Sequence, residues 1–75
     1  MTTQYYREYN TGYVKGETRQ IGETIYAYDH RGNVLGYYLP SANLTYTNTG
    51  YIRANYNDLV SLINESWDEY KRTGR

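Results

Sequence analysis

The 75-residue chain contains no cysteine and no phenylalanine, a single proline and a single methionine, and eight basic side chains set against eight acidic ones. The absence of cysteine excludes disulfide staples, thiolate zinc sites and cysteine nucleophiles together, and points to reducing cytoplasm as the expected location. The zero formal net charge argues against a duplex-DNA binder, whose affinity rests on clustered Lys and Arg neutralising phosphates. Residues 1–20 hold no apolar run of about seven residues or more, so neither a secretory leader nor a membrane anchor is expected. The length allows one domain, and a chain of this size buries only roughly 60% of the surface it exposes when unfolded, so the core is expected to be thin.

The aromatic content is almost entirely tyrosine: twelve, with one tryptophan. A buried tyrosine must find a partner for its hydroxyl, whereas at a half-buried position the ring packs while the hydroxyl stays wet. Such positions occur on a small sheet, where tyrosine is a good strand former, and at binding surfaces, where it gives much contact area for little rotamer entropy.

The clearest strand pair is TIYAYDHRGNVLGYYL, residues 24–39: strands at 25–29 and 34–39 flank His30-Arg31-Gly32-Asn33, which supplies a glycine to the turn. Pro40 to Asn43 interrupts the ladder, and strands at 44–47 and 51–54 follow around Asn48-Thr49-Gly50. From Asn57 the period changes. Leu59, Leu62, Ile63, Trp67 and Tyr70 form the stripe of an amphipathic helix over 57–72, with Asn55 or Asn57 as cap, Lys71 and Arg72 at the negative end of the dipole, and Gly74 as stop. The expected fold is therefore α+β: an antiparallel β-meander over 24–54 packed on one C-terminal helix. Residues 1–20 read as a tyrosine-rich edge hairpin or arm, with strands near Tyr5 to Tyr9 and Tyr13 to Lys15 followed by the polar connection KGETRQIGE.

The near-repeat of NTGYVK (10–15) as NTGYIR (48–53) ends at once on both sides, so it reads as one turn chemistry used twice rather than a duplicated unit. The stretch YDHRGNVLGYY, residues 28–38, resembles one unit of the YD repeats of large Rhs-type shell proteins, in which a tyrosine-aspartate pair precedes a glycine turn and a return strand. Those repeats act in arrays. The single unit here implies the hairpin and neither a toxin nor an encapsulating role.

Residues suited to catalysis are sparse. The one histidine, His30, falls in a turn between Asp29 and Arg31 and reads as solvated; Glu65, Asp68 and Glu69 read as the wet side of the helix. No metal-ligand spacing and no phosphate-cradling glycine loop is present, so no enzyme activity and no cofactor is expected. What remains is a surface. With Ile25, Ala27, Leu35, Tyr37, Leu39, Leu44, Tyr46, Ile52 and Ala54 turned to the helix, strict alternation sends Tyr26, Tyr28, Val34, Tyr38, Tyr51 and Arg53 to the opposite side. Tyr26, Tyr28, Tyr38, Tyr51 and Arg53 are thus the candidate binding residues, and the expected function is non-enzymatic recognition of another protein or of a second copy. Size and lack of enzymatic motifs resemble the stand-alone inhibitors encoded by phages and mobile elements, including anti-CRISPR proteins, and this resemblance implies an inhibitor of a host protein. The alternative partner is single-stranded nucleic acid, its bases stacked on sheet tyrosines and its phosphates met by Lys15, Arg31 and Arg53.

Overall fold

A computed structural model describes residues 2–74, and within these the chain forms six strands and one helix. The strands are β1 (Thr2–Arg7), β2 (Val14–Ile21), β3 (Thr24–Asp29), β4 (Val34–Leu39), β5 (Leu44–Thr47) and β6 (Ile52–Ala54), and the helix is α1 (Leu59–Thr73). The sheet is an antiparallel meander in which every strand pairs with its sequence neighbours. The α+β architecture is as expected, with six strands in one sheet where the sequence suggested a four-stranded meander with an added hairpin.

The difference lies in β2. The polar run KGETRQI is a strand because its alternation is small against charged rather than apolar against polar. Gly16 and Thr18 are buried toward the helix, while Glu17 and Arg19 lie on the other side. The helix packs on β2, β3 and β4, so β2 is a structural centre and not a connection. Small residues there let α1 come close. A Cβ added at Gly16 would meet the Tyr28 carbonyl oxygen and, at 2.9 Å, Cγ2 of Ile63; one at Gly36 would meet the Tyr46 carbonyl oxygen and, at 2.8 Å, Cδ1 of Leu62.

The core beneath the helix is Ala27, Leu59 and Ile63, all essentially inaccessible, joined by the partly buried Tyr6, Ile25, Leu35, Tyr38 and Leu62. Trp67 extends it, only 6% exposed. Thr45 is fully buried yet satisfied: its hydroxyl donates to the Tyr56 carbonyl (2.5 Å) and accepts the Asp58 N–H (3.0 Å), which fixes the loop leading into α1. The Asn57 side chain accepts the Leu59 N–H at 3.2 Å, and Gly74 closes the helix by donating its N–H to the Tyr70 carbonyl.

Three β-bulges set which side chains face the helix. The register slips opposite Tyr6/Arg7, leaving Lys15 without a direct partner; opposite Ala27/Tyr28, leaving Leu35; and opposite Thr45/Tyr46, leaving Arg53. All three turn their side chains toward the helix layer. Lys15 donates to Asn64 Oδ1 (2.6 Å), Leu35 packs on the core, and Arg53 donates to Asp58 (Nε to Oδ2, 2.8 Å) and pairs with Glu65.

The turns answer the question of the repeated Asn-Thr-Gly. Both copies are hairpin turns with a left-handed glycine, Gly12 (φ 75°) and Gly50 (φ 92°), a conformation that costs glycine nothing. They are different turns, however. The Gly12 N–H reaches back four residues to the Glu8 carbonyl, and the Gly50 N–H three residues to the Thr47 carbonyl.

Candidate functional site

A single helix covers one face of the sheet, and in the described residues no element covers the other. Cross-strand register arranges that open face in rows. One row crosses all six strands: Thr3, Arg19, Tyr26, Tyr37, Tyr46 and Ile52. Neighbouring strands lie about 4.8 Å apart, close to the spacing of stacked rings, so tyrosines at paired positions form a ladder. Tyr37 stacks on Tyr46 (5.1 Å between centroids, 16° between planes), and Tyr26 leans on Tyr37 at 6.1 Å and 47°. Beside it runs a second row of Tyr5, Glu17, Tyr28 and Val34, and Leu39 pairs with Leu44 on the same face. Ile52, Tyr5 and Val34 are 62%, 57% and 41% exposed.

The charge in these rows is internally neutralised. Arg19 Nε donates to Glu17 Oε2 at 2.6 Å, which raises the guanidinium pKa further, and its head lies 4.7 Å from the Tyr28 ring. These rows are therefore aromatic and aliphatic, with one closed ion pair at their β2 side; beyond them on the same face, at the end of β1, Arg7 donates to the Gly12 carbonyl at 3.0 Å.

Of the six residues that alternation assigned to this face, the structure brings Tyr26, Tyr28 and Val34 together there and places the other three elsewhere. Tyr38 lies on the helix side, paired with Ile25 and Thr45, its hydroxyl donating to Asn43 Oδ1 (2.7 Å). Arg53 is held on that side by Glu65 and Asp58, whose hydrogen bonds push its pKa up. Tyr51 sits in the β5–β6 turn, 74% exposed, outside the rows. Conversely, Tyr37, Leu39, Leu44, Tyr46 and Ile52, assigned to the core, lie on the open face. The cause is the bulge at Leu35. Leu35 and Gly36 both serve the helix side, so the rest of β4, then β5 and the start of β6, invert relative to strict alternation, until the Arg53 bulge returns Ala54 to the helix side as assigned. The signal was present: a lone glycine inside a strand pattern, Gly36 after Leu35, marks a bulge.

The three cations assigned to phosphate contact are engaged elsewhere. Lys15 is bonded to Asn64, Arg53 to two carboxylates, and Arg31 stacks on the Tyr70 ring at 5.3 Å. Nor is His30 a solvated turn residue. The last turns of α1 reach over the β3–β4 turn, and the imidazole packs 4.2 Å from Tyr70 and 5.3 Å from Trp67, edge to face with the latter. Glu8 ties the same end. It accepts from Lys71 Nζ (2.6 Å), Trp67 Nε1 (2.7 Å) and Thr11 Oγ1 (2.9 Å), and these bonds hold its pKa down to about 2.

A groove of about 370 Å³ between β1 and the start of α1, lined by Gln4, Tyr6, Thr18, Ile25 and Leu59 among others, carries no charged side chain. Among the described residues no three His, Cys, Asp or Glu side chains converge to hold a metal, and no helix is long and apolar enough to cross a membrane. No family model, curated protein or solved structure matches this chain.

Proposed function

We propose that the chain is a non-enzymatic recognition module that binds another protein through the open sheet face centred on Tyr26, Tyr37 and Tyr46. The observation that carries this reading is the stacked ladder itself, continuous with Tyr28, Ile52, Leu39 and Leu44 on a face that no element of the described chain covers. Contiguous aromatic and aliphatic surface of this kind is costly to leave in water, and tyrosines in such patches are frequent interface hot spots. The neutrality of the ladder and of the row beside it favours protein over nucleic acid, the cation Arg7 standing apart at the end of β1 and bonded to the Gly12 carbonyl. The one cation in the ladder row is closed by Glu17, and Lys15, Arg31 and Arg53 are engaged with the helix layer. An inhibitor acting on a host protein in reducing cytoplasm is the finer form of this reading, supported by the small size and the absence of cysteine.

The test is capture with the tagged full chain from cell extract, compared with Tyr37→Ala and Ile52→Lys, followed by titration of the purified partner. One protein retained by the wild type should lose roughly 30-fold or more in affinity on Tyr37→Ala, the scale of a hot spot. Binding that ignores both substitutions refutes the reading. So does salt-sensitive binding of short single-stranded oligonucleotides at micromolar concentration.

A further inference from the structure

The sheet has two edges of different character. β6 is a three-residue strand with Arg53 bulged toward the helix, which blunts pairing. β1, TTQYYR, is six residues long and carries no proline, no lysine and no bulged residue of its own, the slip in its pairing with β2 being taken up by Lys15. Its only charge is Arg7, at its end. An edge without these protective devices is a template for another strand.

The backbone phase of that edge is fixed. Glu8 donates its N–H inward to the Tyr13 carbonyl at 2.7 Å, so alternation turns the N–H and C=O of Arg7, Tyr5 and Thr3 outward. These residues also lie on the open face, opposite Val14, Glu17 and Arg19. Antiparallel pairing of two copies about an axis perpendicular to the sheet keeps the faces aligned. A residue can then oppose only residues of its own parity, and the register must centre on a residue. Centring on Tyr5 sets Tyr5 against Tyr5 and Thr3 against Arg7 of the second copy. Every outward group of the three residues then finds a partner, and no like charges stand directly opposite. Centring on Gln4 pairs only Thr3 with Tyr5 among the three outward residues of the described strand.

We propose that β1 is a homodimerisation edge, pairing antiparallel with β1 of a second copy about a two-fold axis at Tyr5. The two sheets join into one with twice as many strands, and Tyr5, 57% exposed in the single chain, pairs with its counterpart on the open face. The contact uses the edge and not the ladder, so it stands apart from the protein-binding reading.

Sedimentation equilibrium and oxidative cross-linking of the full chain test it. An interface this small is weak, so the wild type is studied up to about 1 mM, where dimer is expected. Tyr5→Lys places two like charges at the axis on an exposed position and should weaken association at least 10-fold, while Ile52→Lys at the far edge should leave it unchanged. Tyr5→Cys brings two Cα atoms to about 5.5 Å, within disulfide range, and should oxidise to covalent dimer. Thr3→Cys separates them by about 14 Å along the strands and should not. A wild type that stays monomeric at about 1 mM overturns the proposal, as does cross-linking of Thr3→Cys as fast as Tyr5→Cys, or dissociation by Ile52→Lys.

Discussion

Replacing Gly16 by alanine tests how closely α1 is seated on β2. The added Cβ would meet the Tyr28 carbonyl oxygen and two atoms of Ile63, Cγ2 at 2.9 Å and Cγ1 at 3.3 Å. Neither side can give easily. The carbonyl belongs to β3 in the middle of the sheet, and Ile63 is β-branched and completely buried. Overpacking costs about 1–3 kcal/mol, and the stiffer unfolded chain of an alanine variant offsets about 0.4–1 kcal/mol of it. With no relief available the cost falls near the top of its range, leaving a net loss of about 2 kcal/mol. In a domain of this size that lowers Tm by about 8–16 °C. Gly36→Ala is the comparison. It also meets a backbone oxygen, that of Tyr46, but its side-chain contact is the terminal Cδ1 of the half-buried Leu62, which can rotate, so its loss should be about half as large. Thermal and urea unfolding followed by circular dichroism measure both. A Gly16→Ala variant within about 0.5 kcal/mol of wild type, or Gly36→Ala the more damaging of the two, would refute the argument from close approach.

Four further outcomes are expected. Trp67→Ala removes a 6%-exposed ring and should cost about 3–5 kcal/mol, read by urea unfolding. Thr45→Val removes, from a fully buried position, the hydroxyl that serves both the Asp58 N–H and the Tyr56 carbonyl at the helix entry; losing the two bonds should cost about 1–3 kcal/mol, with faster amide exchange at Asp58 as its signature. Tyr38→Ala should lower Tm through the core and the lost bond to Asn43, whereas Tyr37→Ala should act chiefly on partner affinity; the reverse pattern would mean the register is wrong. The Glu8 pKa is depressed from 4.5 to about 2, so its contribution is present above pH 4.5 and lost as pH falls toward 2; Glu8→Gln should flatten the stability profile in that window relative to wild type, while Asp58, lowered by Ser61 and Arg53, acts with the same sign in both.

The helix and the β3–β4 hairpin were legible because each follows its local rule. Leu59, Ile63 and Trp67 are spaced for one helical face, and Gly32 marks the turn between two β-rich runs. β2 was not legible, because what it buries is Gly16 and Thr18 rather than apolar side chains; the helix comes close enough that small residues fill the space, and hydrophobic alternation never appears. Of the residues alternation assigned to the open face, Tyr26 and Tyr28 lie there since they precede the slip, and Tyr38 and Arg53 lie on the helix side since they follow or occupy one. His30 was misread for another reason: that α1 ends over the turn depends on the angle at which the helix crosses the sheet, which no spacing in the sequence encodes.

The bulges explain why one sheet can carry two such different faces. Each inserts a residue that reaches the helix layer, and two of the three are cations that find partners on or beside α1: Lys15 at Asn64, Arg53 at Asp58 and Glu65. In a regular ladder either these cations or the residues paired beyond them would have to change sides, setting charge among the tyrosines or tyrosines against the helix. Because the slips absorb the long charged side chains, the paired positions that remain on the far side can be Tyr26, Tyr37, Tyr46 and Ile52 in one row. The aromatic character of the open face is thus a consequence of how the helix side is packed. Deleting Leu35 should consequently separate the two faces: pairing between β3 and β4 becomes regular with Val34, Gly36, Tyr37 and Tyr38 on the sides they already occupy, so stability should fall with the lost core side chain while the ladder of Tyr26, Tyr37 and Tyr46 stays on the open face.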